Sequence, residues 1–336
     1  MNQGSRIAVI IVTYKTARLT IGALESVASE RARSGLRIQA IVVDNSAEDL
    51  PQIAAAVAAN GWSAWVTLVA SPRNGGYAYG NNLGLRQAYA DTPPDYVYLL
   101  NPDTQVRPGA IGTLVSFLQR RPDVGIAGSS FETHEGTDWP IAFRFPSLWS
   151  ELDTGLQFGP VTRLLHRWVV ARPMSKVAQP TDWICGASMM IRPEVLASVG
   201  GFDENYFLYF EETDFCYRAR KAGFATWYVP ESRVMHIGGQ STAVTSPGAG
   251  AKRKPGYWFE SRRRYFAVTF GISQAILIDI VAVLANSLGV LKRAVLGRRG
   301  TAVRHYTRDI LRHSVVWRAN RQLPPLRAFV PPTPGH

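Results

Sequence analysis

The densest group of potentially reactive side chains in the sequence consists of five carboxylates, Asp203, Glu204, Glu211, Glu212 and Asp214. A helix that begins near Glu211 would explain part of this acidity without any function, because helix N-termini favour negative charge. Three acids within four residues exceed what capping needs. Crowded like charges raise a carboxyl pKa, and a raised pKa suits a general base.

A single carboxylate, Asp103, follows a predicted buried strand in the triplet Asn101-Pro102-Asp103. A carboxylate at the tip of such a strand is well placed to bind a divalent cation that bridges a diphosphate. A proline-containing turn explains the same residues equally well. His236 lies farther along the chain, where a lone histidine is more often structural than a ligand.

Two more polar groups follow earlier predicted strands. Asp44 can accept hydrogen bonds from a ribose or a base, or it can cap a helix or hold a turn. The glycine-rich stretch 74–84 brings backbone amides close to a helix N-terminus, where an anion is favoured. Its glycine order matches neither the dinucleotide-binding pattern nor the P-loop pattern, so neither site is supported.

These groups need a scaffold that aligns the ends of strands, and the first 130 residues predict one. Apolar, β-branched runs at 6–14, 38–44, 65–70, 96–100 and 124–130 alternate with helical stretches at 17–33, 50–60, 77–90 and 108–120. This alternation predicts an α/β fold with a mostly parallel sheet flanked by helices. Ligands of such sheets bind beyond the carboxyl ends of the strands.

The rest of the chain shows weaker patterns. We expect an irregular, substrate-facing excursion at 131–179, a strand at 185–191, a helix at 211–223 and a strand at 226–229. The organisation we predict is a catalytic domain at 1–250, a basic helical extension at 251–323 and a disordered proline-rich tail at 324–336.

The distribution of charge divides the chain. Residues 1–250 carry 21 Lys or Arg against 22 Asp or Glu, whereas residues 251–336 carry 16 against 3. A near-neutral body with a cationic extension argues against nucleic-acid binding and favours an anionic membrane or ligand as partner. Cys185 and Cys216 are expected to be reduced, buried thiols, because no secretory segment precedes the first predicted strand.

Seven segments occur in one order: residues 10–14, 42–46, 74–84, 101–103, 186–187, 202–218 and 236–241. This order resembles family 2 of the glycosyltransferases, which are inverting enzymes of the GT-A fold. Within that family it is similar to the bacterial rhamnosyltransferase branch of cell-surface polysaccharide assembly. The resemblance covers residues 6–265.

The resemblance implies a role for each matching position. The nucleoside pocket would be lined by Thr13, Tyr14 and Asp44. The nucleotide sugar would be held by Asn74, Gly75, Gly76, Tyr77, Asn82, Asn101 and Asp103. The donor or acceptor pocket would be lined by Trp183, Gly186 and Ala187. Asp103 matches the second acid of the family's DxD motif, and His236 would complete the metal site. Glu211-Glu212 matches the family's Glu-Asp pair, whose second member is the catalytic base. Since that member is Glu212 rather than aspartate, Asp214 remains a candidate.

The implied reaction is the transfer of a sugar from a nucleotide donor, with Mg²⁺ or Mn²⁺ as cofactor. With one carboxylate in the triplet, metal binding should be weak and nucleotide-assisted. We expect dTDP-L-rhamnose as donor, with UDP-hexoses and UDP-galactofuranose as alternatives, and a saccharide or polyprenyl-diphosphate-linked acceptor. A nucleotide-sugar-modifying or nucleotidyl-transfer enzyme is a competing hypothesis, and a basic membrane- or nucleic-acid-binding protein without catalysis is another.

One apolar segment, residues 271–291, is long enough to span a membrane. Asp279 near its centre opposes insertion, and Asp279, Asn286 and Arg293 recur every seven residues along one helical stripe. Basic residues on both sides, including the arginine run at 262–264, favour a helix lying on an anionic membrane. We therefore expect a cytoplasmic protein, peripheral on the inner face of the plasma membrane. The alternative is a core or oligomer-forming helix.

Overall fold

The computed structural model describes residues 4–133, 138–139, 141–237, 253–297, 303 and 305–332. In these residues the strands are β1 (Arg6–Thr13), β2 (Arg37–Asp44), β3 (Val66–Ala70), β4 (Tyr96–Leu100), β5 (Thr104–Val106), β6 (Val124–Glu132), β7 (Asp138–Trp139), β8 (Ala142–Phe143), β9 (Gln179–Thr181), β10 (Trp183–Ile184), β11 (Ser188–Ile191) and β12 (Ala225–His236). The helices are α1 (Ala17–Ser34), α2 (Leu50–Ala59), α3 (Gly76–Ala88), α4 (Ala110–Arg120), α5 (Leu148–Leu156), α6 (Gly159–Leu164), α7 (Pro193–Val199), α8 (Glu211–Lys221), α9 (Gly256–Phe270), α10 (Ile272–Val295) and α11 (Tyr306–His313).

The main sheet has the strand order β3-β2-β1-β4-β11-β6-β12-β5. β1 pairs in parallel with β2 and β4, β2 with β3, and β6 with β12. β11 runs antiparallel between β4 and β6, and β5 runs antiparallel to β12 at the edge. The predicted α/β architecture with a mostly parallel sheet is confirmed.

Both faces of the sheet are buried, which explains why its strands are continuous apolar runs. On β1, Ile7, Val9 and Ile11 enter one apolar layer, whereas Ala8, Ile10 and Val12 enter the other. Helices α1, α2 and α4 cover the first layer, and α3, α7 and α8 cover the second. Cys216 is buried in the second layer and Cys185 borders the first, and both are free thiols.

The segment predicted as irregular, residues 131–179, is more ordered than expected. It contains α5 and α6, and β6 continues into it as far as Glu132. Helix α5 begins at a capping box in which Ser147 and Ser150 exchange hydrogen bonds. Gly155 of α5 lies against Gly289 of α10 so closely that a Cβ on Gly289 would fall 2.2 Å from the Gly155 carbonyl oxygen. This part of the excursion therefore supports the C-terminal helices.

The basic extension is integrated with the catalytic domain through buried arginines. Arg262 and Arg264, expected to flank the apolar segment as basic residues at a membrane surface, are both buried on α9. Arg262 contacts Glu151 of α5 at 2.7 Å and Asp279 of α10 at 2.6 Å, and Arg264 pairs with Asp203. These two charges stabilise contacts inside the protein, which corrects their assignment to an external basic flank.

The polar stripe of α10 faces the protein. Asp279 is buried against Arg262 and also accepts hydrogen bonds from the Ser314 hydroxyl and the Val315 backbone N–H. Farther along, Asn286 donates to Thr307 and Arg293 to Gln157. Helix α10 also has a mean hydropathy of 1.9 over 18 residues, and among the described residues it alone is long and apolar enough to cross a membrane.

The proline-rich tail is ordered over residues 324–332, where the sequence predicted disorder. Phe329 is 7% exposed and its ring lies 5.5 Å from that of Tyr89. Its carbonyl accepts a hydrogen bond from Gly201, and the Arg327 carbonyl accepts one from Glu204. One buried aromatic side chain and these backbone hydrogen bonds outweigh the proline-rich composition. Residues 333–336 of the predicted tail, the proposed boundary near residue 250 and the basic pair at 298–299 lie outside the described residues.

Replacing the buried aromatic residue of this tail tests its packing. We expect Phe329→Ala to lower the free energy of unfolding by about 3 kcal/mol, because it removes a buried ring and leaves a cavity. Leu326→Ala is the matched control on the same segment, since Leu326 is 53% exposed, and should change stability by less than about 0.5 kcal/mol. Urea unfolding measures both, and equal midpoints for the two variants would contradict the packed tail.

Candidate active site

The carboxyl ends of β1, β2 and β4 meet at one edge of the sheet. Thr13 ends β1 and donates a 2.5 Å hydrogen bond to Asp49, and both residues are buried. Tyr14, the next residue, is 38% exposed. Beside it lies an open cleft of about 470 Å³ whose lining includes Lys15, Arg18 and Asp49. Of the residues predicted for the nucleoside pocket, Tyr14 is therefore the one whose side chain is exposed at this edge.

Asp44 is used within its own loop. One carboxylate oxygen accepts hydrogen bonds from the Ser46 backbone and hydroxyl, and the other accepts from the backbone of Asp49 and Leu50. The side chain is fully buried. The structure thus supports the alternative that Asp44 holds a turn and the start of α2.

The predicted donor loop begins helix α3. Asn74 accepts a hydrogen bond from the Gly76 backbone N–H, and Gly76 has a φ of +83°. A Cβ on Gly76 would lie 1.8 Å from the Phe207 carbonyl oxygen, which also accepts a hydrogen bond from the Tyr77 backbone at 2.9 Å. Glycine is required here for both its conformation and the close approach. Gly75 precedes it as the N-cap residue.

The side chain of Asn82 is not exposed beside the predicted donor loop. It is fully buried on α3, where its amide donates to Glu204 and to the Phe202 carbonyl and accepts from the Phe202 backbone N–H. All these partners belong to the segment that leads to α8. These hydrogen bonds give Asn82 a structural role, and its contact with the nucleotide sugar stays a prediction.

Asp103 and His236 are brought together by the antiparallel pairing of β5 and β12. Thr104 is opposite His236 in this pairing, and the Ile237 backbone donates to the Asp103 carbonyl. A carboxylate oxygen of Asp103 lies 3.3 Å from His236 Nε2. The strand predicted to end at residue 229 continues to His236, with register shifts relative to β6 on the way.

The side chains at this point suit a divalent cation. Carboxylate oxygen and imidazole nitrogen are both ligands of such ions. The buried Asn101 Oδ1 has no hydrogen-bond partner among the described residues. The described residues contain no group of three or more His, Cys, Asp or Glu side chains that could hold a metal. Asp103, His236 and Asn101 would therefore need further ligands from a bound diphosphate.

Arg18 is a candidate that the sequence analysis missed. It lies in the first turn of α1, and its side chain is exposed. It lines both the cleft near Tyr14 and a second cleft of about 320 Å³ that contains Asp103 and Ile237. A guanidinium between these two clefts suits binding of a diphosphate. An arginine in the first turn of a helix is ordinary, so no pattern in the sequence identified Arg18 as a binding residue.

Glu212 is joined to the sheet through a glycine. The Gly186 backbone N–H donates to its carboxylate at 2.7 Å, and the Gly186 carbonyl accepts from the Tyr77 hydroxyl at 2.9 Å. The neighbouring Ala187 carbonyl accepts from the Asn101 backbone. A chain of direct contacts therefore connects Glu212, the donor loop and the Asn101 to Asp103 triplet.

Burial shifts the proton affinities of both glutamates. Burial raises the pKa of Glu212 to about 7, although the hydrogen bond from Gly186 opposes the shift. Burial and the nearby Glu212 carboxylate raise the pKa of Glu211 well above its usual value. Glu211 is 2% exposed, and one of its oxygens has no partner among the described residues. Glu212 therefore titrates near neutral pH, and its neighbour Glu211 resists ionisation.

Asp214 and Trp183 have structural partners. Asp214 is buried and forms a 2.8 Å ion pair with Arg218, whose guanidinium also binds the carbonyls of Val199 and Gly201. Burial raises the pKa of Asp214, while Arg218 opposes this. Trp183 stacks on Phe143 at 4.3 Å and donates its ring N–H to a carbonyl. This geometry favours Glu212 over Asp214 as the group available for proton transfer.

Comparison with known proteins agrees with this arrangement. The sequence profile of glycosyltransferase-like family 2 matches residues 5–255, which include every element from β1 to β12. The chain belongs to glycosyltransferase family 2. The resemblance drawn from the ordered motifs is thus confirmed.

Relatives of this chain include named rhamnosyltransferases. An N-acetylglucosaminyl-diphospho-decaprenol L-rhamnosyltransferase of Mycobacterium tuberculosis is 31% identical over 230 residues, which is 65% of this chain and 70% of the relative. Rhamnosyltransferase WbbL of Escherichia coli is 25% identical over 166 residues, 48% of this chain and 60% of the relative. These relatives support the rhamnosyltransferase-like branch of the family.

Solved structures support the GT-A fold. A mannosyltransferase from Pyrobaculum calidifontis, solved with GDP-mannose and Mn²⁺, aligns with a TM-score of 0.53 and 16% identity, covering 88% of this chain and 75% of that chain. GalNAc-T7, solved with UDP, GalNAc and Mn²⁺, aligns with a TM-score of 0.55 and 14% identity, covering 92% and 57%. At these identities the likeness establishes the fold.

The raised pKa of Glu212 predicts a pH-dependent stability. A carboxyl whose folded pKa exceeds its unfolded pKa stabilises the fold fully below the unfolded pKa, and this stability is lost as pH rises through the folded pKa. Near pH 4.5 Glu212→Gln should therefore melt at the same temperature as the parent. At pH 8 the variant should melt at a higher temperature, and its free energy of unfolding should exceed that of the parent by about 1–3 kcal/mol. Thermal unfolding at the two pH values measures this. A variant less stable than the parent at pH 8 would contradict the burial of an unfavourable charge.

Proposed function

We propose that this protein is an inverting glycosyltransferase that moves L-rhamnose from dTDP-L-rhamnose to a saccharide or lipid-linked saccharide acceptor in cell-surface polysaccharide synthesis. The observation that carries the proposal is Glu212: it lies next to Gly186 and Tyr77, and its pKa of about 7 suits a general base at neutral pH. The contact through Gly186 and Ala187 to Asn101 connects this base to the predicted metal and nucleotide site.

The chemical step is a single displacement. The acceptor hydroxyl oxygen attacks the anomeric carbon while Glu212 takes the hydroxyl proton, and the bond from that carbon to the diphosphate oxygen breaks. The leaving nucleoside diphosphate keeps the bonding electrons, and attack from the opposite face inverts the configuration. The raised pKa of Glu211 disfavours a second negative charge beside the base.

The leaving diphosphate is the group that gains negative charge. A bound Mg²⁺ or Mn²⁺ would supply a Lewis acid for this charge. Asp103 and His236 would hold the ion, with Asn101 as a neutral neighbour, and the exposed Arg18 would contact the diphosphate from the other side. Because the chain supplies few metal ligands, we expect the metal to bind tightly only together with the nucleotide.

The choice of donor and acceptor rests on the relatives. The Mycobacterium tuberculosis relative is named for L-rhamnosyl transfer to an N-acetylglucosaminyl-diphospho-decaprenol, and the WbbL relative is also named a rhamnosyltransferase. A hexosyltransferase of Haloferax volcanii, 27% identical over 219 residues, favours a UDP-hexose or other hexose donor as the alternative. A polyprenyl-linked acceptor stays in the bilayer, so we place the protein peripherally at the inner face of the plasma membrane.

A donor screen tests the substrate class. We expect dTDP-L-rhamnose to release dTDP in the presence of Mn²⁺ and a synthetic lipid-linked N-acetylglucosamine, and UDP-glucose, UDP-galactose and UDP-galactofuranose to release little UDP. Chelation with EDTA should abolish the release. Turnover of a UDP-sugar without turnover of dTDP-L-rhamnose would mean that the alternative donor is right. Absence of turnover with every donor would contradict the transferase reaction itself.

Two substitutions test the base. Glu212→Gln should lower the turnover number by about 10²–10⁴-fold, because it removes basicity with little change in volume, and nucleotide affinity measured by calorimetry should stay nearly the same. In the parent enzyme the rate should rise with pH up to about 7 and then level off, because the carboxylate form is the active one. Asp214→Asn is the comparison, and it should keep this pH profile. Loss of turnover in Asp214→Asn with retention in Glu212→Gln would move the base to Asp214.

A further inference from the structure

Helix α10 exposes its apolar side. Six large apolar residues, Leu277, Ile280, Leu284, Leu288, Leu291 and Val295, are each between 45% and 77% exposed. They lie on one side of the helix over a length of about 27 Å. The polar residues Asp279, Asn286 and Arg293 of the same helix point inward. This outer apolar face of α10 is therefore the reverse of what a helix packed on a water-soluble domain shows.

The face is a narrow stripe. At 100° per residue the six side chains fall within about 80° of the helix circumference, so its width is compatible with a bilayer surface and with a second helix. Between Ile272 and Leu291 the only charged residue is Asp279, which is buried. No charged side chain therefore borders the face along these five turns to direct pairing with a second helix.

The inner side of α10 also opposes a transmembrane orientation. Asp279 is paired with Arg262 and hydrogen-bonded to Ser314 and Val315 in a buried site. Crossing a bilayer would separate this carboxylate from its partners or take the whole cluster into hydrocarbon, and both are costly. A helix that is apolar on one side and anchored to protein on the other fits the plane of a membrane surface.

The charge of the extension indicates which surface it fits. Residues 251–336 contain 16 basic and 3 acidic residues, and two of the acids are already neutralised inside the protein: Asp279 by Arg262 and Asp309 by Arg253. Helix α11 packs beside α10, and its Arg308 and Arg312 are exposed. The extension therefore combines an exposed apolar face with an excess of positive charge, and this excess complements anionic lipid headgroups.

We propose that the outer apolar face of α10 docks on the surface of a bilayer containing anionic lipids, with the helix axis parallel to the membrane plane. The apolar side chains enter the boundary between headgroups and acyl chains, and the buried Asp279–Arg262 pair stays on the protein side. The inference deepens the proposed function, since it rests on a lipid-linked acceptor for its purpose, but its physical basis is independent of catalysis.

Vesicle binding of the full-length chain tests this docking. Flotation with vesicles of phosphatidylcholine and phosphatidylglycerol in a 7:3 ratio should recover the protein, and pure phosphatidylcholine vesicles should recover much less. Leu284→Ser combined with Leu288→Ser should weaken the partition by about tenfold or more, because two side chains that enter the bilayer become polar. Val177→Ser combined with Leu326→Ser is the matched control, since these residues are 67% and 53% exposed elsewhere.

The outcomes separate the possible roles of this face. Equal binding by the two double variants, or no binding by the parent chain, would overturn the proposal. Light scattering after size exclusion measures the oligomeric state in parallel. If the parent chain is a dimer that does not bind vesicles, and the Leu284→Ser and Leu288→Ser variant is a monomer, the face is a subunit interface instead. Sugar transfer to a water-soluble acceptor is followed in the same variants and should be unchanged. If vesicle binding holds and transfer fails in the parent, the proposed function is wrong and the docking face stands.

Discussion

The hydrogen bond from the Gly186 backbone to the Glu212 carboxylate is the contact on which the rest of the site depends. It places a titratable group at the N-terminus of α8, where the helix dipole favours the anion while burial opposes it. A Cβ on Gly186 would lie 2.7 Å from the same carboxylate oxygen, so a side chain there would displace Glu212 from this position. Tyr209 and Phe210, just before the helix, both have positive φ angles, so the chain accepts backbone strain to present these glutamates.

A strained segment needs support from its surroundings, and the C-terminal extension provides it. Asp203 in the segment before α8 pairs with the buried Arg264 of α9 and accepts hydrogen bonds from Asn205. Neighbouring Glu204 contacts Asn82 and Arg86 on α3 and Arg327 in the tail. Removing the extension would therefore leave buried carboxylates without their cationic partners, which costs more than the pairs contribute when intact. The basic extension and the catalytic domain form one structural unit.

The sequence predicted those features of the fold that depend on residues close to one another along the chain. The strands up to β4 and the placement of Asp103 after one of them follow from apolar runs and turn residues. It did not distinguish Asn82, whose side chain is hydrogen-bonded inside the protein, from Tyr14, whose side chain is exposed, because the contacts that decide this come from distant parts of the chain. Likewise Arg262 looked like a solvated surface charge, since its partners Glu151 and Asp279 are separated from it by 111 and 17 residues. Burial of charge is decided by such distant partners.

Helix α10 shows the same limit in another form. A stripe of polar residues every seven positions reveals that a helix has two unlike sides, but it does not reveal which side meets the protein. Here the polar side is inward, and its carboxylate is satisfied by an arginine, a hydroxyl and a backbone N–H, so the interior tolerates it. The leucine-rich side is left facing outward, where burial against the protein contributes nothing to its stability. Contact with an apolar environment would remove this surface from water, and this gain is the physical basis of the docking that we propose.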